Sequence, residues 1–362
     1  MKIRTITIGT RLDKPQEIIP YITKVKQAKS FFEEKGYEVQ TIRISTNQQQ
    51  DELKIKELIN ICKTENLSYL SIGQIDPSSP IADKIHEVLS QSEILNCSVN
   101  LLFGKDHLEF TAKLIVEISQ LNPYINFQFA GSANIPPNTP FYPASYHEDT
   151  RPSFSIGTQA IQEAIDVTRD CESLDDAKIK LLNIYNEVFT KIEKIALQLE
   201  KQIGIEYAGI DTSTASLGEE STAYIIENIS KVLFGKKGTK KACQAVTSVL
   251  KSINVKKAGY CGLMLPLLED SGLGKRNSEG LFTIDDLLDY SSVCGTGLDT
   301  VPIPGNVTIS QVSKILQKVA SLSQKLNKPL SARLFPVPGK VAGEMTEFDS
   351  PYLFNTKVMR IE

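Results

Sequence analysis

What most constrains this chain is the alternation of short strand patterns with amphipathic helical ones over residues 2–130. Strand-like stretches at Ile3–Ile8, Val39–Ile44, Tyr69–Ile72, Ser98–Phe103 and Ile125–Ala130 are separated by helical periodicities such as Glu17–Lys35 and Gln50–Asn66. A crossover helix between successive strands makes the strands mostly parallel, and parallel sheets are covered by helices. The expected class is therefore α/β. Arg4, Thr5 and Thr7 on the first strand either point into a polar barrel interior or face solvent on an edge strand. The residues leave both open.

Length allows two ordinary domains or one large α/β barrel in 362 residues. A net charge of −3 supplies no global field for nucleic acid or an anionic membrane, so neither is expected as a partner. No apolar run is long enough to span a bilayer, and the Ile3–Gly9 alternation reads as a strand rather than a signal peptide. The expected location is cytoplasmic. Cys62, Cys97, Cys171, Cys243, Cys261 and Cys294 form no Cys-x-x-Cys pair, which argues against a zinc site or disulfide scaffold. His86, His107 and His147 lack metalloprotease spacing.

Chemistry-bearing residues gather in the breaks between periodic segments. Gly131–Pro143 carries Pro136, Pro137, Pro140 and Pro143. Residues 130–157 as a whole read as a lid-like loop bearing His147 and Arg151. After a long helical pattern at Leu174–Ile203 comes Gly209-Ile-Asp-Thr-Ser213, a strand end with Asp211 and Ser213 facing a ligand or capping the next helix. Lys237 lies in the densest basic run, either near an anion at a helix start or on a solvated face. Ala258–Pro266 reads as a glycine-containing strand, and Glu269 and Asp270 follow in a loop.

Ser291–Pro304 then places Cys294, Gly295, Gly297 and Asp299 together between two helical patterns. Cysteine and aspartate offer a nucleophile and a base, and glycines let the backbone approach a ligand. A buried structural thiol and a turn-capping carboxylate are the alternative reading. Arg333, on an apolar strand at Pro329–Phe335, requires a carboxylate or an anionic ligand.

As a set, these stretches resemble domain-of-unknown-function family seven-one-one. The matching segments are Ile3–Gly9, Cys97–Asn100, Phe141–Tyr146, Arg151–Gly157, Gly209–Ser213, Gly238-Thr239, Cys294–Asp299 with Ile303-Pro304, and Arg333–Phe348. The resemblance spans nearly the whole chain. It implies one domain over residues 1–362: a pyruvate formate-lyase-like, ten-stranded β/α barrel with outer helices. It does not imply radical chemistry, because no Arg-Val-x-Gly-Tyr motif occurs between Leu330 and Glu362.

The expected function is that of an enzyme acting on a small anionic metabolite inside the barrel, by hydrolase, lyase or transferase chemistry. Cys294, Asp299, Asp211 and His147 are the expected catalytic groups. Arg333, Arg151, Gly295, Gly297, Ser213, Asn100 and Lys237 are the expected substrate contacts. Asp211, Glu220, Asp299 and Glu344 are hard oxygen ligands that would suit magnesium or calcium. The alternative is a protein that binds or senses the metabolite without turning it over. A homodimer is a mild expectation for a large barrel.

Overall fold

The computed structural model describes residues 2–361; Met1 and Glu362, the two ends of the expected domain, lie outside it. Nine strands form one mixed sheet: β1 (Ile3–Thr10), β2 (Val39–Thr46), β3 (Tyr69–Gln74), β4 (Leu95–Asn100), β5 (Phe129–Ala133), β6 (Ser153–Thr158), β7 (Glu206–Asp211), β8 (Gly297–Pro304) and β9 (Leu330–Val337). Their order is β7-β6-β1-β2-β3-β4-β5-β9-β8. β1–β5 run parallel to one another, as do β6 with β7 and β8 with β9. The two sets meet antiparallel at β1/β6 and at β5/β9.

The closed ten-stranded barrel is not formed. Residues 258–266, expected as a strand, and the preceding Lys257 touch both edges of the sheet only through isolated parallel bridges, Ile210 to Lys257 and Pro266 to Asp299. The backbone explains why. Gly259 and Cys261 adopt positive φ, 81° and 48°, which breaks a regular strand, and Pro266 has no N–H to donate to a ladder.

Each strand has two faces, because side chains alternate. Ile6, Ile42, Leu70, Cys97, Phe129, Ile156 and Leu334 pack into the main hydrophobic core with helix residues such as Ile22, Leu58, Ile118, Leu181 and Leu316. The other face is polar yet buried: Thr5, Thr7, Ser45, Ser71, Ser98, Ser132, Ser155 and Ser331 are all at most 6 % exposed. The alternative left open for Thr5 and Thr7 is thus resolved in favour of an interior.

Part of that interior is filled by the proline-rich segment. Residues 134–147 of the expected lid lie against the polar face, and Thr139, Pro140, Phe141, Ala144, Ser145 and His147 are buried. Thr7 Oγ1 donates to Pro140 O (3.1 Å), Ser71 Oγ to Ser145 O (2.6 Å) and Tyr142 Oη to Ile44 O (2.5 Å). Among the described residues no helix is long and apolar enough to cross a membrane.

Candidate functional site

The expected catalytic groups do not assemble as one set. Cys294 is 1 % exposed and belongs to the hydrophobic core; burial pushes its thiol up, against the opposing pull of Lys328. Lys328 Nζ donates to the carbonyls of Ser291 and Cys294, anchoring the end of the preceding helix, Ile284–Ser291. Asp211 is fully buried and spends its carboxylate on backbone amides, accepting from Ser213 (3.0 Å), Tyr260 (2.8 Å) and Cys261 (3.0 Å). Burial raises its pKa and those hydrogen bonds oppose the rise. Its visible work is to pin the kinked 258–262 segment to β7. Ser213 supports the same segment, its hydroxyl accepting from the Gly262 amide at 3.0 Å.

The glycines serve close packing. A Cβ on Gly295 would lie 2.5 Å from the Gly262 backbone, and the Gly295 amide is already bonded to Leu263 O (2.9 Å). Gly297 has φ +94° and presses on the Ser331 backbone. Asn100 caps a short turn by accepting from Leu102 N (3.0 Å). Arg151, Lys237 and Glu344 are exposed. Glu220 is half-buried and accepts from Gln159 Nε2 at 2.9 Å. Among the described residues no three acidic, histidine or cysteine side chains lie close enough to hold a metal ion, so Asp211, Glu220, Asp299 and Glu344 do not form one site.

What the polar interior does contain is a cluster of charges. Arg333 on β9 donates from Nε to Asp299 (2.5 Å) on β8 and from Nη2 to Glu269 (2.7 Å). Burial pulls the guanidinium's pKa down, but Asp299 and Glu269 together hold it above its ordinary value. Arg4 reaches Glu269 at 3.8 Å and donates to Gln40 Oε1 at 3.0 Å. Two carboxylates thereby balance two arginines.

Arg43, on β2, is the third arginine and has no carboxylate partner among the described residues. It is 7 % exposed, and its guanidinium lies 4.9 Å from the Tyr142 ring centroid and 5.3 Å from that of Tyr69. Its one hydrogen bond among the described residues runs from Nε to Thr41 Oγ1 at 3.1 Å. Burial and the neighbouring Arg4 pull it down to about 10, Arg333 adding to the effect and the two tyrosines opposing it. It is still a cation at neutral pH. A buried charge without a counter-ion is costly, so the structure keeps it at the expense of stability. Around it Arg4, Gln40, Thr41, Tyr69, Tyr142 and Arg333 are only half-buried, so this end of the interior meets solvent.

Sequence reasoning singled out Arg333 and passed over Arg43, whose strand, Val39–Thr46, alternates polar and apolar residues.

Known proteins place the chain in context. It is 29% identical over 261 residues to a UPF0210 protein of Pyrobaculum arsenaticum, an alignment covering 68% of this chain and 57% of that one. It is 26% identical over 292 residues to a UPF0210 protein of Oenococcus oeni (76% and 65%). It is also 26% identical over 289 residues to one of Carboxydothermus hydrogenoformans (74% and 64%). The chain thus spans less than two thirds of the length of these relatives. A family described as Uncharacterised ACR (DUF711) matches residues 1–350, and the chain belongs to that family.

Proposed function

We propose that this protein binds a small organic anion in the polar interior of its sheet, with Arg43 as the anchor. The observation that carries this reading is the guanidinium lying over the Tyr69 and Tyr142 rings with no acidic partner among the described residues, beside Arg4. Two rings lie within 5.3 Å of it and Nε is occupied by Thr41, so the donors left without a partner among the described residues are those at its terminal edge. That edge suits a carboxylate or phosphate taken bidentately. Binding without turnover is favoured over catalysis, because the thiol at 294 is sealed in hydrocarbon and Asp211 and Asp299 are committed to structural partners.

The test is a thermal-shift and calorimetric panel of acetate, succinate, citrate and inorganic phosphate at constant ionic strength. At least one anion should raise Tm by a few degrees in a concentration-dependent way. Arg43→Met should abolish that shift, and Arg43→Lys should weaken it at least tenfold through loss of the fork. Equal Tm in all anions, or shifts that survive Arg43→Met, would remove the reading.

A further inference from the structure

Two residues along β2 from Arg43, and on the same face, the polar interior holds a second group of unused atoms. Ser71, Ser45, Gly9 and Ser153 stand side by side across β3, β2, β1 and β6 in hydrogen-bonded register. Above this row lie Ser145 and His147 of the proline-rich segment. The imidazole sits over Gly9, where an added Cβ would fall 2.5 Å from Nδ1.

Four buried polar atoms in this one place have no hydrogen-bond partner among the described residues: Ser45 Oγ, Ser145 Oγ, Ser153 Oγ and His147 Nε2. Native interiors leave few such atoms, so a concentration of them needs an explanation. The tautomer is set by Asn138, whose Oδ1 lies 2.8 Å from Nδ1. Nδ1 therefore carries the proton and Nε2 presents a lone pair. Burial favours the neutral ring, against the opposing pull of the Asp149 carboxylate and the Asp149 and Arg151 backbone.

We infer that this row is an uncharged subsite for hydroxyl groups, and that the anion bound by Arg43 is a hydroxylated acid lying along β2. The inference rests on the anion reading above. The Cα atoms of Arg43 and Ser45 are about 6.6 Å apart along an extended strand, a span that a chain of four to six carbons covers. Its carboxylate would meet the guanidinium edge. Its hydroxyls would donate to His147 Nε2 and exchange hydrogen bonds with the serines.

Titration calorimetry of the full chain with gluconate and with hexanoate, six-carbon acids with and without hydroxyls, tests this. Gluconate should bind at least tenfold tighter. Ser45→Ala with Ser153→Ala should cost gluconate roughly tenfold, about one net hydrogen bond's worth or slightly more, and leave hexanoate within twofold. His147→Gln should repeat that pattern, and the serine variants keep the test open should His147→Gln unfold. If both acids bind alike, or the variants weaken both equally, the hydroxyl subsite is wrong while the Arg43 anchor stands. If neither acid nor any anion of the earlier panel binds, both fall together.

Discussion

At the scale of single residues, Arg43 and Arg333 show how one residue type on one face can do opposite work. Arg333 is held by Asp299 and Glu269, and removing any of the three would strand a buried charge. Arg43 has no such partner, so its charge is a standing cost in the ligand-free protein. Arg43→Met should therefore stabilise that state, by about 1–2 kcal/mol, because an apolar side chain of similar reach beside two tyrosine rings needs no counter-ion. Urea unfolding of both proteins in chloride buffer measures it; a variant less stable than the parent would show that Arg43 is structural. The sequence exposed the argument for Arg333 because its strand is otherwise apolar. Arg43 follows Thr41 in a strand that alternates polar and apolar, a pattern that fits a solvated face equally well. Only knowing that both faces are buried turns that arginine into a signal.

At the scale of elements, legibility followed length and capping. The helix Leu174–Ile203 was read to its ends, because thirty residues of unbroken periodicity are bounded by Ser173, which accepts from Asp176 N, and by Gly204 at φ 63°. Short elements were not. β6 lies hidden at the end of the expected lid, because Ser153–Thr158 follows Pro152 and has two serines and a glycine on its buried inner face. The stretch at 258–266 was read as a strand, yet its glycines bend it away from regular pairing. The Cys-Gly-Thr-Gly sequence at 294–297 suggests a backbone that approaches a ligand. Its glycines instead allow two backbones to touch, Gly295 against Gly262 and Gly297 against Ser331. Gly295→Ala should consequently cost about 2–3 kcal/mol, since neither backbone can retreat from the new methyl group. Unfolding midpoints would record this, and a neutral substitution would show that the bridge segment yields.

For the whole molecule, the charged cluster joins the two parallel halves of the sheet. Arg4 and Arg43 come from β1 and β2. Arg333 and Asp299 come from β9 and β8, and Glu269 follows the bridge segment that lies between the sheet's two edges. Three arginines face two carboxylates, leaving one positive charge in a site of reduced solvent screening. The proposed anion site would rest on that excess, although the chain as a whole carries −3. If the excess sets the affinity, adding to it must raise affinity and lower stability together. Asp299→Asn frees one side of Arg333, taking the local balance from one positive charge to two. It should cost about 3 kcal/mol in the ligand-free state, as breaking a buried pair does. It should also tighten binding of whichever anion the panel identifies by several-fold, so that saturating anion restores part of the lost stability. Denaturation of parent and variant with and without that anion separates the two effects. A variant that loses stability and gains no affinity would mean that the field at Arg43 is set by the tyrosines and the backbone, and that the arginine count across the two halves of the sheet is incidental.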